Sequence, residues 1–590
     1  MSSTYPHYQP ASSLPSDYGV LSRYARQHED FEDAAHREGA IAENEGYDSP
    51  VSSGAIPVPG RGRRSTFSGG LSGRMNMQRR VSKQRLDPLD AVVHGAAWGT
   101  SSPAVPTETD PLLLQVPRLS EEADGVVRAR IMFWEELKVL LRYTAPVFGT
   151  HLLEYSLQVA SIVSIGHLST TALAAATLAS MTASVTGFSI AQGLTSALDT
   201  LLPAAFTSGN PEFVGLWAQR MTVIIVATLI PIMVLWLNVE GILLGLGQEP
   251  EVAALAALYL KWSSIGLPAY GVNCVTRRYF QSQGLFDVPT KIIFIVAPLN
   301  AAMNVLLVWG PEPIHLGFIG APIATGISYN LILALSFVYG IWYAPDNKAW
   351  TPISKRSFQS LGLVINLGLA GVGQIASEWW SWELVGLAAS QLGPVALATQ
   401  SVLLVSASTT YQAPYAIAVA ASVRIGNLLG EQNALRARTA SHVSCVLALF
   451  VGTIWSTMFL VFRFKWGSLF NNDPAVGEMV AKVLPLVAMF QIFDGIAGVT
   501  NGVLRSRGKQ GTGALINLSA YYLFGIPLGI YLAFKAGHGL MGLWEGLTLA
   551  LVYASVVGLL LVLQTDWHRE VRKVQDRFEK DRAAVALDEP

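Results

Sequence analysis

Charge is scarce in this chain, and cysteine is scarcer still. Of 590 residues, 14% are Asp, Glu, Lys or Arg, and only Cys274 and Cys445 are cysteine. Those two lie within or beside apolar stretches, with neither the spacing of a metal site nor the density of a disulfide framework. The ten histidines are scattered, and no HExxH string occurs. Gly508-Lys509-Gln510 lacks both the spaced upstream glycine and the Ser or Thr of a phosphate-binding loop. Nucleotide-driven work is therefore not expected, and any transport must draw on an ion gradient. No nucleophile setting stands out either, so the chain reads as no enzyme, with no cofactor, no metal and no nucleic-acid partner. Its start, Met1-Ser2-Ser3-Thr4-Tyr5-Pro6, carries no signal-peptide pattern.

Apolar sequence fills the space that charge leaves. Hydrophobic residues make up 51% of the chain, and runs of about 20 residues, enough to cross a bilayer, recur along it. Twelve begin near residues 140, 172, 219, 251, 288, 318, 358, 395, 438, 475, 511 and 539. The expected fold class is an all-α polytopic membrane protein, with twelve transmembrane helices in two six-helix lobes related by an internal repeat. Residues 136–343 form the first lobe, 344–357 a cytoplasmic inter-lobe loop and 358–566 the second lobe. The repeat rests on strings 224 positions apart. Gly166-His167-Leu168-Ser169-Thr170-Thr171-Ala172-Leu173-Ala174 answers to Ser390-Gln391-Leu392-Gly393-Pro394-Val395-Ala396-Leu397-Ala398, and Gln281-Ser282-Gln283-Gly284 to Arg505-Ser506-Arg507-Gly508. Such duplication is common in transporters, with the substrate path between the halves.

Loop charge sets the expected orientation. Arg277, Arg278 and Lys291 surround the loop after the fourth span. Lys348, Lys355 and Arg356 follow the sixth, Arg424, Arg436 and Arg438 flank the loop after the eighth, and Arg505, Arg507 and Lys509 follow the tenth. The alternate loops are poorer in positive charge, with Arg463, Lys465 and Lys535 as exceptions, which puts both termini in the cytoplasm. Residues 1–135, rich in Ser, Pro and Gly, bury too little apolar surface to fold and read as a disordered tail. Within it lie a basic island from Arg61 to Arg85 and Glu108-Thr109-Asp110-Pro111-Leu112-Leu113, a string similar to an acidic dileucine sorting signal. That string favours the vacuolar membrane over the plasma membrane. Residues 567–590 read as a charged cytoplasmic tail.

Two acids stand out against this background. Between Leu361 and Leu392 there is no Lys, Arg or Asp, and Glu378 and Glu383 are the only acidic residues. A carboxylate at bilayer depth costs on the order of 2.5–3.5 kcal/mol, so it is seldom there without a role. Away from water its charged form loses hydration, so such a group can take a proton near neutral pH and lose it when a cation arrives. The repeat carries Glu154 onto Glu378. Glu378 and Glu383 are five apart, about 140° around an ideal helix, so only one is expected to face a cavity. That one is expected to be Glu378. Glu378 with Trp382, and Trp379 with Glu383, are four apart and share a face, placing an indole near each acid for cation–π contact of about 0.5–2 kcal/mol.

Longer strings carry a family resemblance. Glu378-Trp379-Trp380-Ser381-Trp382-Glu383, Ala420-Ala421-Ser422-Val423-Arg424-Ile425-Gly426-Asn427-Leu428-Leu429-Gly430, Gly502-Val503-Leu504-Arg505-Ser506-Arg507-Gly508-Lys509-Gln510 and Tyr521-Tyr522-Leu523-Phe524-Gly525-Ile526-Pro527 resemble eukaryotic members of the multidrug and toxin extrusion family. The resemblance covers residues 139 to 566. Leu202-Pro203-Ala204-Ala205-Phe206 departs from the family's Gly/Ser-Gln pair, and Val405 stands where some animal relatives carry an acid. The resemblance implies a monomeric antiporter exchanging protons for small organic cations across a lipid bilayer. It assigns Glu378 and Glu383 to the seventh-span acids and Asp494 to the tenth-span acid. A sodium-coupled exporter and a lipid-linked oligosaccharide flippase are the rival functions. One proton exchanged for one monovalent cation moves no net charge, so each pH unit supplies about 1.4 kcal/mol, or tenfold accumulation.

Overall fold

The computed structural model describes residues 125–343, 349–470 and 473–587. Most of the tail expected over 1–135, with its basic island and dileucine string, lies outside them. So do Lys348 and part of the inter-lobe loop. Among the described residues there is no strand.

Helix α1 runs Gly125–Gly166, so it takes in the last eleven residues of the expected tail, 125–135. Next come α2 (Thr170–Ala183), a π-turn (Ser184–Phe188), α3 (Ser189–Thr195) and α4 (Leu198–Thr207), which together make one long rod. The first half is completed by α5 (Glu212–Leu237), α6 (Val239–Gly245), α7 (Pro250–Ser263), α8 (Leu267–Ser282), α9 (Asp287–Trp309) and α10 (Gly320–Trp342). The second half holds α11 (Leu361–Ser390), α12 (Pro394–Gly430), α13 (Ala434–Trp466), α14 (Pro474–Ser506), α15 (Gln510–Leu518), α16 (Ile526–Phe534) and α17 (Leu540–Leu563). A final helix, α18, spans Trp567–Leu587.

Nine of the described helical stretches are long and apolar enough to cross a membrane, or ten if the bent pair α7–α8 is one span. The expected twelve is therefore not reached by apolarity. Besides the charged α18, the long described helices outside the ten are α1 and α12, and their polarity has a structural reason. α1 carries Glu135, Glu136, His151 and Glu154, all of which find partners inside the bundle. α12 is buried along nearly its whole length and packs on α1, α4, α13 and α14. A helix that hardly touches lipid can be rich in Ser, Thr and Gln. The 51° bend between α7 and α8 falls just before Pro268, in the first turn of α8, where a proline is the usual cause of such a break. On the outer faces, large apolar side chains such as Ile230, Phe294 and Phe464 are exposed, as lipid contact requires.

The halves meet through close backbone approach. A Cβ on Gly371 of α11 would lie 2.0 Å from Ser196 Oγ and 2.3 Å from the Gly193 carbonyl oxygen. A Cβ on Gly430 of α12 would lie 2.1 Å from Thr207 Oγ1 and 2.5 Å from the Ala204 carbonyl oxygen. Small residues at helix crossings are how apolar helices gain packing energy without a hydrophobic drive. Gly371→Ala is expected to destabilise the protein by about 1–3 kcal/mol through overpacking. Thermal unfolding of the detergent-solubilised protein measures this, and an unchanged midpoint would show that the seam is slack.

The C-terminal segment is a docked, charged helix up to Leu587. Trp567, Val571, Val574 and Phe578 form a buried stripe at helical spacing. Phe578 stacks on Trp217 of α5 at 5.9 Å, and the Arg507 guanidinium lies 5.5 Å from the Trp567 ring. Thus α18 touches both halves. Burial pushes the Glu570 carboxyl up, but the hydrogen bond from Lys573, then the charges of Arg507, Lys573 and Lys509, outweigh it and hold the group below its usual 4.5. A lowered folded value means that this stabilisation is full above the unfolded value and is lost as pH falls through the folded one. Docking of α18 is therefore expected to weaken under acid below about 4.5. Trp567 fluorescence followed against pH tests this, with Glu570→Gln expected to flatten the transition.

Candidate functional site

The lobes' side-chain ties cluster toward the terminal end of the bundle, where α1 begins and α18 docks. There, Arg424 of α12 donates two hydrogen bonds of 2.8 Å to Glu136 of α1, both residues buried. Arg436 of α13 donates to Glu135. Asp199 of α4 accepts from Arg278 Nε at 2.8 Å and faces Arg505 Nε of α14 at 3.5 Å. Thr200 Oγ1 donates to the Arg505 carbonyl at 2.5 Å and accepts from Gln510 Nε2 at 2.7 Å. Four arginines read from sequence as loop charge, Arg277, Arg278, Arg424 and Arg505, are thus buried in ion pairs within helices. Counting loop charges cannot see acids on other helices that neutralise them.

Above this closed end lies a pocket between the halves. Its wall is Gln192 of α3; Gln374, Ile375, Glu378 and Trp379 of α11; Tyr411 and Tyr415 of α12; and Gly498, Asn501 and Arg505 of α14. Glu378 is the half-buried acid on this wall. Asp494 is buried on α14, one turn before Gly498, within electrostatic reach of Glu378. Tyr411 and Tyr521 each lie within reach of both acids. Tyr522 Oη donates to the Ser377 carbonyl at 3.1 Å, tying the π-turn Ser519–Gly525 to the residue before Glu378. An amide chain fastens the same helices together. Asn517 Nδ2 donates to the Gln374 carbonyl at 2.9 Å, Asn501 Nδ2 to Asn517 Oδ1 at 3.4 Å, and Gln374 Nε2 to Asn501 Oδ1 at 2.9 Å.

The other expected site residues fall elsewhere. Glu383 is half-buried on α11 but is not on the pocket wall, and its Oε2 is buried with no hydrogen-bond partner among the described residues. Trp379 joins Glu378 on the wall. Trp382 does not: it packs edge-on against Phe490 at 5.6 Å and Trp544 at 5.8 Å in the core of the second half. Spacing puts Trp382 on the face of Glu378 but cannot show that this part of the face turns into the core. Glu154 of α1 is held by Arg277 of α8 at 2.5 Å, inside the first half.

The repeat offset explains why the halves differ. Shifted by 224 positions, Arg277 becomes Asn501, Tyr270 becomes Asp494 and Gln281 becomes Arg505. The first half therefore neutralises its acid with an arginine, whereas the second replaces that arginine by an amide and adds a second acid. Carrying the offset through every polar residue would have found Asn501 and Arg505, which reading the acids alone missed.

A helical bundle with a polar pocket between two repeat-related halves defines a multi-pass membrane transporter. The sequence model described as MatE matches twice, at residues 146–306 and 372–531, once in each half. The chain belongs to that family, the multidrug and toxin extrusion transporters. It is 38% identical over 448 residues to an uncharacterized transporter of Schizosaccharomyces pombe, covering 76% of this chain and 83% of the relative. Human multidrug and toxin extrusion protein 1 is 33% identical over 444 residues, covering 75% and 77%. The crystal structure of the eukaryotic MATE transporter AtDTX14 superposes with a TM-score of 0.70 at 31% identity, covering 77% of this chain and 100% of that one.

Proposed function

We propose that the protein extrudes organic cations and xenobiotics in exchange for protons, by alternating access to the pocket at Glu378. The observation that carries this reading is the acid pair. Glu378 on the wall of an inter-lobe pocket lies within electrostatic reach of the buried Asp494 behind it, while the equivalent acid of the first half is already taken by Arg277. Two nearby carboxylates repel, and either a proton or an organic cation relieves that repulsion, so the two ligands exclude each other. Trp379, Tyr411 and Tyr415 offer aromatic faces to a cation beside the acid. The name of the human relative, multidrug and toxin extrusion protein 1, fits this substrate class. The pocket is built within one chain, which fits a monomer. The dileucine string at 108–113 favours the vacuolar membrane, with both termini cytoplasmic.

Proton release on binding tests the reading. Tetraethylammonium is titrated into the purified full chain by calorimetry, in two buffers of different ionisation enthalpy. The expected result is release of a proton on binding, lost in Glu378→Gln. Binding without proton release, or binding that displaces sodium instead, contradicts it.

A further inference from the structure

We propose that Arg505 is a tethered counter-cation: it exchanges between Asp199 and the pocket acids, and so couples pocket occupancy to closure of the terminal end. The inference rests on the reading of the pocket as an organic-cation site.

The guanidinium is buried yet weakly held. Among the described residues its one ionic partner is Asp199, at 3.5 Å, and its Nε makes no hydrogen bond. That distance lies beyond the 2.7–3.2 Å of a good N–H···O bond. Asp199 already accepts from Arg278, which Thr195 Oγ1 also accepts from at 2.9 Å. Arg505 stands on the pocket wall with Glu378, and the Tyr411 phenol feels Arg505 together with Glu378 and Asp494. So the charge lies between two acidic neighbourhoods, one on each side of the lobe interface. The charged and titratable groups around it are Asp199 of α4, Arg278 of α8 behind it, Glu378 of α11, and Tyr411 and Tyr415 of α12, with Asp494 about three turns away along its own helix. The backbone behaves differently from the side chain. Thr200, itself held by Gln510, pins the Arg505 carbonyl to α4, leaving the side chain to choose its acid. The repeat supplies no second copy, because Gln281 takes this position in the first half.

The two positions have opposite consequences. With both pocket acids charged, Arg505 turns to them and the α4–α14 tie loses its ionic part. An organic cation in the pocket repels Arg505 back onto Asp199, and the terminal end closes behind the substrate. A proton on one acid leaves the other charged, so Arg505 is again drawn to the pocket and that end reopens. Cation loading and proton loading thereby bias the lobes in opposite directions. Arg505 is a positioning residue, acting through Asp199 and the acids.

The test uses the full chain with spin labels at Glu212 and Gln432, exposed positions on the two sides of the terminal end. Distance distributions are recorded with and without tetraethylammonium, and its binding is measured on the same samples. In the wild type the cation is expected to raise the closed population at least threefold. Arg505→Gln is expected to bind the cation about tenfold more tightly, its tethered competitor gone, yet to show no closure response. Asp199→Asn is expected to lose the response as well, and Arg505→Lys to keep it in part. Should Arg505→Gln fail to fold, Asp199→Asn and Arg505→Lys carry the test. An Arg505→Gln or Asp199→Asn protein that still closes on cation binding as the wild type does overturns the proposal. Wild-type protein that does not bind the cation overturns the pocket reading itself, and this inference with it.

Discussion

Glu378→Gln is expected to cut proton-driven transport of an organic cation to below roughly a hundredth of the wild-type rate, a barrier change of about 2.7 kcal/mol. Folding should be unaffected. The amide keeps the size of the side chain, and the helix contacts beside it, Trp379 on the wall and Ser377 accepting from Tyr522, do not require the charge. What is expected to disappear is the proposed group able to hold either ligand. Asp494→Asn is expected to act in the same direction, because the two acids feel one another. Their double variant should be little worse than either alone, as residues that act as a unit are not additive. Initial rates in liposomes under an imposed pH gradient measure all three. A Glu378→Gln protein that still concentrates the cation along the pH gradient would place the exchange elsewhere.

Glu154→Gln is expected to do the opposite: unfold the protein more readily, with transport lost only as far as folded protein is lost. Glu154 and Arg277 are both buried, and the contact is 2.5 Å. Removing one partner of a buried pair leaves an uncompensated charge, at a cost of about 3–5 kcal/mol. Replacing both partners avoids that penalty, so adding Arg277→Asn to Glu154→Gln is expected to recover much of the loss. The second half already carries Asn501 at the repeat-equivalent position of Arg277, beneath its own acid. Thermal unfolding in detergent separates the variants. Full stability in Glu154→Gln together with abolished transport would make this acid a coupling site and would contradict its structural assignment.

The contrast between these acids shows what the sequence could and could not disclose. Glu378 was legible because a lone carboxylate in an apolar run has few bland explanations, and helical spacing turns it away from Glu383, which is not on the pocket wall. Glu154 looked identical by the same measure. Its partner Arg277 lies 123 positions away on α8, and hydropathy treats each charge singly. The same blindness turned Arg278, Arg424 and Arg505 into loop charges when they are buried ties. The helices were legible as apolar runs, but α1 and α12 owe their positions to polar contacts inside the bundle, so apolarity alone undercounts the expected twelve. Trp382 shares a helix face with Glu378 yet ends in the core beside Phe490 and Trp544, since the line between pocket and core is set by the neighbouring helices. The docking of α18 was hidden for a related reason. Its apolar stripe was readable, but the surface made by Trp217, Arg507 and Lys509 comes from two distant segments.

The measurement closest to the central claim is proton movement during cation transport. Full-length protein in liposomes, with a pH-sensitive dye inside and the membrane potential clamped at zero, receives an outward-directed or inward-directed cation gradient with no initial pH difference. Cation entry is expected to drive protons out and cation exit to drive protons in, and Glu378→Gln should abolish both. Cation flux that leaves the internal pH unchanged, or that follows a sodium gradient instead, would contradict proton exchange at this site.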